Sequence, residues 1–304
     1  IRMTITRWVR IGCCSLSLAV AGCAVSFAQQ DDRGGLREPV YRVAQAPQQQ
    51  AQPVQTVQQT QAQQAAQPHD PALRIAYEGL ERIRREIKDY TATMVKRERV
   101  NGELGDEEFM FAKIRNRKVE DGRVVVPFSI YLQMLKPDAI KGREVIWVEG
   151  KNNGKLVAHE GGWRKFMWAN LDPDGFMAMR GQRYPLYDAG IENLVGKLIE
   201  KGERDRQRGE CEVQFFQGAK INGRTCTLIK VTHPVPRPYF DFHVAEIFID
   251  DELQVPVRYA AYQWPTERGG RPVLDEEYTY LNMQLNVGLT DADFDKDNPN
   301  YEFP

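Results

Sequence analysis

The stretch Cys211–Trp264, CEVQFFQGAKINGRTCTLIKVTHPVPRPYFDFHVAEIFIDDELQVPVRYAAYQW, reads as four strands in succession. Cys211–Gln217 and Thr225–Thr232 flank Asn222-Gly223, a pair that accepts the left-handed backbone of a tight hairpin turn. Phe240–Ile249 and Pro256–Gln263 flank a second turn over Asp250–Gln254. Strands joined by turns instead of helices pair antiparallel. The first hairpin is expected to bring Cys211 and Cys226 face to face, within reach of a disulfide.

Upstream, the same period-two alternation recurs. Tyr90–Val100 and Glu107–Arg117 flank Asn101-Gly102, and Glu144–Glu149 and Lys155–His159 flank Asn152-Asn153-Gly154. Phe128, Ile130, Leu132 and Met134 alternate with polar or amphipathic residues, and Trp163–Trp168 reads as a short strand. Downstream, Leu281, Met283, Leu285 and Val287 alternate with Asn282, Gln284 and Asn286. Two segments switch to helical spacing. Asp70-Pro71 supplies a start signal, followed by Leu73, Tyr77, Leu80, Ile83 and Ile87. Ile191, Leu194, Val195, Leu198 and Ile199 form a second apolar stripe between Ala189 and Arg204. The pattern predicts an α+β domain over residues 70–304: a curled, mostly antiparallel sheet with two main helices on its concave side.

The N-terminal segment has the three parts of an export signal over residues 1–28: Arg7 and Arg10, an apolar run Ile11–Ala21, then small residues. Two processing sites stand open. Val20-Ala21-Gly22-Cys23 matches a lipobox, which would lipidate Cys23 and provide the protein's sole attachment to a membrane. Ser26-Phe27-Ala28 before Gln29 matches ordinary cleavage. Either places the domain in the periplasm or cell envelope, where Cys211 and Cys226 favour oxidation. Residues 29–69, rich in Gln, Ala and Pro, read as a disordered linker. The net charge of −1 becomes −4 once Arg2, Arg7 and Arg10 are removed, a balance that excludes a nucleic-acid partner held by phosphate neutralisation.

Catalytic motifs are missing. No serine occupies a G-x-S-x-G elbow, and His243-Val244-Ala245-Glu246 has the wrong spacing for H-E-x-x-H. Gly150–Lys155 is one residue short of a phosphate-binding loop and sits in a hairpin turn. Four histidines and a cysteine pair leave too few ligands for zinc, so no cofactor or metal is expected. Asp291, Asp293, Asp295, Asp297 and Glu302 follow a calcium-loop spacing, but Lys296 replaces its glycine and no helix follows. Phe294, Tyr301 and Phe303 read as anchors that lay this tail on the domain. Polar groupings able to do acid–base work reduce to His159-Glu160 and Asp241/His243, with His233 in reach across the sheet. Trp163–Arg180 is both irregular and apolar, and Trp163, Phe166, Met167, Trp168, Phe176, Met177 and Met179 are read as a flap over an apolar ligand.

KDYTATMVKRERVNGELGDEEFMFAKIR (88–115), FSIYLQMLKP (128–137), KGREVIWVEGKNNGKLVAHEGG (141–162) and the run 221–265 resemble the DUF1571 family, exported proteins of unknown function typical of planctomycete-type bacteria. The order of elements, ending in the hairpin Ile249–Pro256, is more distantly similar to periplasmic lipoprotein carrier and sorting proteins with the LolA/LolB-like fold. That resemblance implies a half-barrel whose concavity takes a lipid or lipoprotein acyl chain, without enzymatic activity. The alternatives are a tethered domain that binds another envelope protein, and a hydrolase in which the polar groupings converge.

Overall fold

The computed structural model describes Leu36 and residues 39–42, 70–164 and 166–304. The export signal, Cys23, the cleavage site after Ala28 and most of the linker lie outside the described residues. The described residues from 39 onward belong to one compact unit. In chain order its elements are β1 (Tyr41–Arg42), α1 (Asp70–Glu86), β2 (Asp89–Val100), β3 (Glu103–Leu104), β4 (Glu108–Arg115), β5 (Lys118–Glu120), β6 (Arg123–Val126), β7 (Ser129–Lys136) and β8 (Glu144–Val148). There follow β9 (Leu156–His159), β10 (Trp168–Leu171), α2 (Phe176–Met179), α3 (Ile191–Arg206), β11 (Glu212–Ile221), β12 (Arg224–Thr232), β13 (Val244–Asp250), β14 (Pro256–Gln263) and β15 (Val273–Leu285).

The main sheet runs β1-β11-β12-β13-β14-β15-β2-β4-β7-β8-β9-β10, with β3 extending β2 and with β5 and β6 as a separate ribbon. It is two antiparallel meanders fused where the last strand, β15, lies against β2 (Glu276 opposite Glu98, Leu285 opposite Tyr90). The sheet is open, with β1 and β10 at its edges.

Alternation of side chains sorts the sheet into two faces. On the concave face, Ala72 and Ile75 of α1 and Leu194 and Leu198 of α3 pack on Ile229, Val231, Ala245, Ile247 and Tyr259. The Ile191 amide, an unpaired donor at the start of α3, donates to the Tyr90 hydroxyl at 2.9 Å, which pins α3 to β2. Gly190 precedes it at φ 104, and a Cβ there would stand 3.1 Å from that same oxygen, so only glycine fits. Gly161, in the AHEGG run, is required by proximity: a Cβ would meet the Lys141 carbonyl oxygen at 2.1 Å.

The convex face of the first meander is covered by the C-terminal tail. Phe294 is buried with Tyr131, Ile146 and Val148, while Tyr301 and Phe303 pack against that cluster. Tyr301 stacks on Tyr131 at 4.1 Å between ring centroids, a contact worth about 1 kcal/mol beyond its buried area. Asp293 and Asp291, two of the carboxylates at calcium-loop spacing, pair with Lys113 and Arg115 of β4, each at 2.8 Å.

Three sequence expectations are corrected, and one element is new. Cys211 and Cys226 are not joined to one another, and both are buried. In the observed register Cys226 faces Ala219, and Cys211 lies beyond Glu212, which faces Thr232. The turn lies close to Cys226 and far from Cys211, so the hairpin places them at opposite ends. Gly162–Arg164 is a tight turn where the sequence predicts a strand over Trp163–Trp168, and the strand begins only at Trp168, paired with His159. The predicted domain start at residue 70 misses β1, where Tyr41 and Arg42 of the expected linker pair with Ile221 and Lys220 at the sheet edge. The ribbon β5–β6 falls between the predicted strands.

Burial, first, and nearby carboxylates push both thiols up to about 11. Both cysteines should therefore be alkylated in denaturant without prior reduction, and dithiothreitol should leave the Tm unchanged. Peptide mapping after iodoacetamide treatment checks the first, and a thermal melt with and without reductant the second.

Candidate functional site

Between the concave face, α3 and the segment 167–190 lies a cavity of about 670 Å³. Its floor is apolar where β2, β4, β7, β8 and β9 contribute Met94, Met110, Leu132, Met134, Val145 and Leu156. These are alternate residues of neighbouring strands, so one apolar stripe per strand adds up to a continuous surface. α3 forms the opposite wall with Leu194 and Leu198. Methionines at three floor positions make the surface adaptable in shape.

The other half of the floor is polar. Glu98 of β2 and Glu276 of β15 stand directly opposite one another, an arrangement that repels unless compensated. Compensation comes from the segment above. The Arg183 guanidinium pairs with Asp275 at 2.9 Å and Glu276 at 3.3 Å, and the Arg183 amide donates to Glu98 at 3.0 Å. Tyr259 donates to Glu276 at 3.3 Å, Tyr278 donates to Glu98, and Lys96 lies 3.7 Å from Glu98 and 3.0 Å from Glu108. Burial raises the Glu276 carboxyl above its ordinary value despite the Arg183 charge beside it. This cluster ties segment 167–190 to the sheet and gives the cavity one polar wall.

Of the seven residues read from sequence as a flap, Met167, Trp168 and Met177 line the cavity. Trp163, Phe166, Phe176 and Met179 are not among its lining residues, and Trp163 and Phe176 are each 82% exposed. The cause is local. Gly162–Arg164 is a tight turn beyond the Trp168–His159 pair, so residues 163 and 166 project past the end of the sheet. Phe176 begins the one-turn helix α2, whose outer side faces solvent.

The polar groupings do not converge. His159 lies on the convex face, its Nε2 2.9 Å from Glu144 and its Nδ1 2.7 Å from the Glu160 carbonyl oxygen. Phe303 caps the ring edge-on at 4.4 Å, and the Tyr131 hydroxyl and Glu302 amide donate to Glu144 at 2.9 and 3.0 Å. Glu160 pairs with Arg143 at 3.1 Å. Asp241 is held by Arg204 at 2.6 Å, and the His243 Nδ1–H donates to the His233 carbonyl at 2.8 Å. His233 is buried against Phe240 and Phe242. His159 ends β9 and His243 precedes β13, strands seven places apart in the sheet order. No group of three His, Cys, Asp or Glu side chains able to hold a metal occurs among the described residues.

The family model described as "Protein of unknown function (DUF1571)" matches residues 87–303. The chain belongs to the DUF1571 family. No curated protein matches it. Among solved structures, this DUF1571 protein is similar to MucB of Pseudomonas aeruginosa in its complex with MucA (15% identity, 74% of this chain and 60% of that one, TM-score 0.39). The alignment therefore spans less than two thirds of MucB. It is also similar to a putative outer membrane lipoprotein-sorting protein domain from Vibrio parahaemolyticus (14% identity, 75% and 98%, TM-score 0.34). A third match is a LolA superfamily protein from Nitrosomonas europaea (10% identity, 77% and 99%, TM-score 0.29). Values this low carry no functional weight.

Arg183→Gln should destabilise the domain by roughly 2–3 kcal/mol at neutral pH, the low end for a broken buried pair because the guanidinium is partly exposed. Glu276 takes up a proton more readily in the folded than in the unfolded state, so the deficit should shrink as pH falls. Glu276→Gln in the same background should recover part of it, which urea denaturation of the three variants checks.

The pair on the convex face predicts a different pH profile. Burial lowers the basicity of His159, but the bonds to Glu144 and the Glu160 carbonyl outweigh it and raise its value above 6.5. Burial likewise raises Glu144, but His159, the Glu302 amide and Tyr131 hold it below 4.5. The pair's stabilisation is therefore fully present between about pH 4.5 and 6.5. It fades below that as Glu144 protonates and above it as His159 loses its proton. The stability lost in His159→Gln should be largest near pH 5.5 and smaller at pH 9, measured by denaturation across that range.

Proposed function

We propose that this protein is a non-enzymatic component of the cell envelope that holds an apolar ligand, a lipid or the acyl chain of a lipoprotein, in the concavity of its sheet. The observation that carries this reading is the cavity of about 670 Å³ with its continuous apolar floor under α3. Its size lies within the range of ligand pockets, roughly 300–1,000 Å³, and its lining joins a large apolar area to a few fixed polar groups. A core built only for stability would fill that volume, since protein interiors pack to near-crystalline density. His159 and Glu160 touch the cavity but are held by Glu144 and Arg143, and Asp241, His233 and His243 lie on the other half of the sheet, an arrangement that supports binding over hydrolysis.

The exposed residues Trp163, Phe166 and Phe176 favour a second element of the same reading, contact with another envelope protein beside the cavity mouth. Export and lipidation at Cys23 belong to this reading as well, resting on the N-terminal sequence pattern.

Purified protein should bind a fluorescent C16 fatty acid with micromolar affinity, displaced by palmitate. Met110→Trp, which fills the floor, should weaken binding at least tenfold while the protein stays folded. Unchanged binding in that variant, or none in the wild type, would sink the proposal.

A further inference from the structure

A second cavity, of about 480 Å³, lies between α1, α3 and the strands β12 to β14. Its walls are Leu73, Ile75 and Ile83 of α1, Val195 of α3, and Ile229 and Ile247 of the sheet. The two cavities occupy adjoining faces of α3. Leu194, Lys197 and Arg204 line the first; Val195, Gly202 and Asp205 line the second. Among the described residues, Leu198 and Lys201 line both. Leu198, which packs on the sheet, and Lys201, one helical turn on, thus form wall common to both chambers.

Each chamber alone falls in the size range of a ligand pocket, and both are chiefly apolar. Lys201 is the exception at the boundary. Its ammonium lies 3.7 Å from Asp241, a carboxylate that also holds Arg204 at 2.6 Å. A cation shared so loosely keeps donors free for a ligand oxygen. Carboxylates also face this corner, Asp205 and Glu276 included, so an ester or similar neutral acceptor suits it better than a strongly anionic head.

We infer that the ligand has two hydrocarbon chains joined at one polar centre, with one chain in each chamber and the joint beside Lys201. This deepens the proposed function and rests on it. The chemistry is that of a diacylglyceryl group, whether carried by a phospholipid or by a lipidated cysteine.

Gly79 of α1 lines the second chamber, and a Cβ there has no atom within 4 Å. Gly79→Phe therefore starts its side chain in open space, directs it at that chamber and adds helix propensity; Ala76→Phe, on the same wall, is the second fill. The probes are palmitate, dipalmitoyl phosphatidylglycerol and a dipalmitoylglyceryl-cysteine peptide, read by native mass spectrometry, with circular dichroism melts to confirm folding. Wild type should take two palmitates, or one copy of a two-chain probe. Either filled variant should take one palmitate and bind the two-chain probe at least tenfold more weakly. Whichever two-chain probe binds more tightly identifies the source. A single palmitate in the wild type, two that survive in both folded variants, or neither two-chain probe bound would overturn this inference and leave the proposed function standing. No palmitate at all would overturn both.

Discussion

The pairing of β15 with β2 is the constraint on which the remainder of the structure depends. It joins two meanders that would otherwise be separate sheets with exposed edges. It also brings Glu98 and Glu276 into direct opposition on the concave face. Removing both carboxylates from water is costly, and one cation with good geometry offsets much of that cost. Arg183 is that cation, and its position fixes the course of segment 167–190 across the cavity. A repulsive register, tolerated in one place, thereby becomes the anchor of the cavity's cover.

The two faces of the sheet have divided roles. The convex face of the first meander is sealed by aromatic stacking and by the Tyr131–Glu144–His159 network, to which the tail adds the Glu302 amide and the Phe303 ring. The concave face is left with volume that its helices do not fill. Such division is natural in a twisted antiparallel sheet, where alternate residues see different surroundings. It also accounts for the histidine in the AHEGG run: His159 belongs to the sealed side.

Much of the fold is legible in the sequence because its signals are local. Asn222-Gly223, Asn101-Gly102 and the alternation in Leu281–Val287 depend only on neighbours along the chain, as do the helix stripes. What escaped depends on register or on distant partners. The cysteine pairing failed because the turn is offset between the two, which a count from Asn222-Gly223 would have revealed. Trp163, Phe166 and Phe176 are apolar yet exposed, and composition does not tell an exposed apolar turn from a lining one. Lys96, Glu98, Arg183 and Glu276 were missed altogether. They lie far apart in sequence, and the only available hint was charge inside otherwise apolar strands, at Lys96-Arg97-Glu98 and Glu276-Glu277.

The fused topology has a kinetic side. β2 is among the first strands to be synthesised, and β15, ending at Leu285, is the last. Until β15 arrives, one edge of β2 has no partner and the acidic floor lacks its opposite strand. Closing so long a loop is entropically slow, and proteins dominated by such distant pairings fold slowly. The chain therefore spends its assembly as a partial sheet with an open edge, a species prone to wrong association. The charged run Lys96-Arg97-Glu98-Arg99 lies on that edge, and charge on an open edge disfavours pairing with another chain.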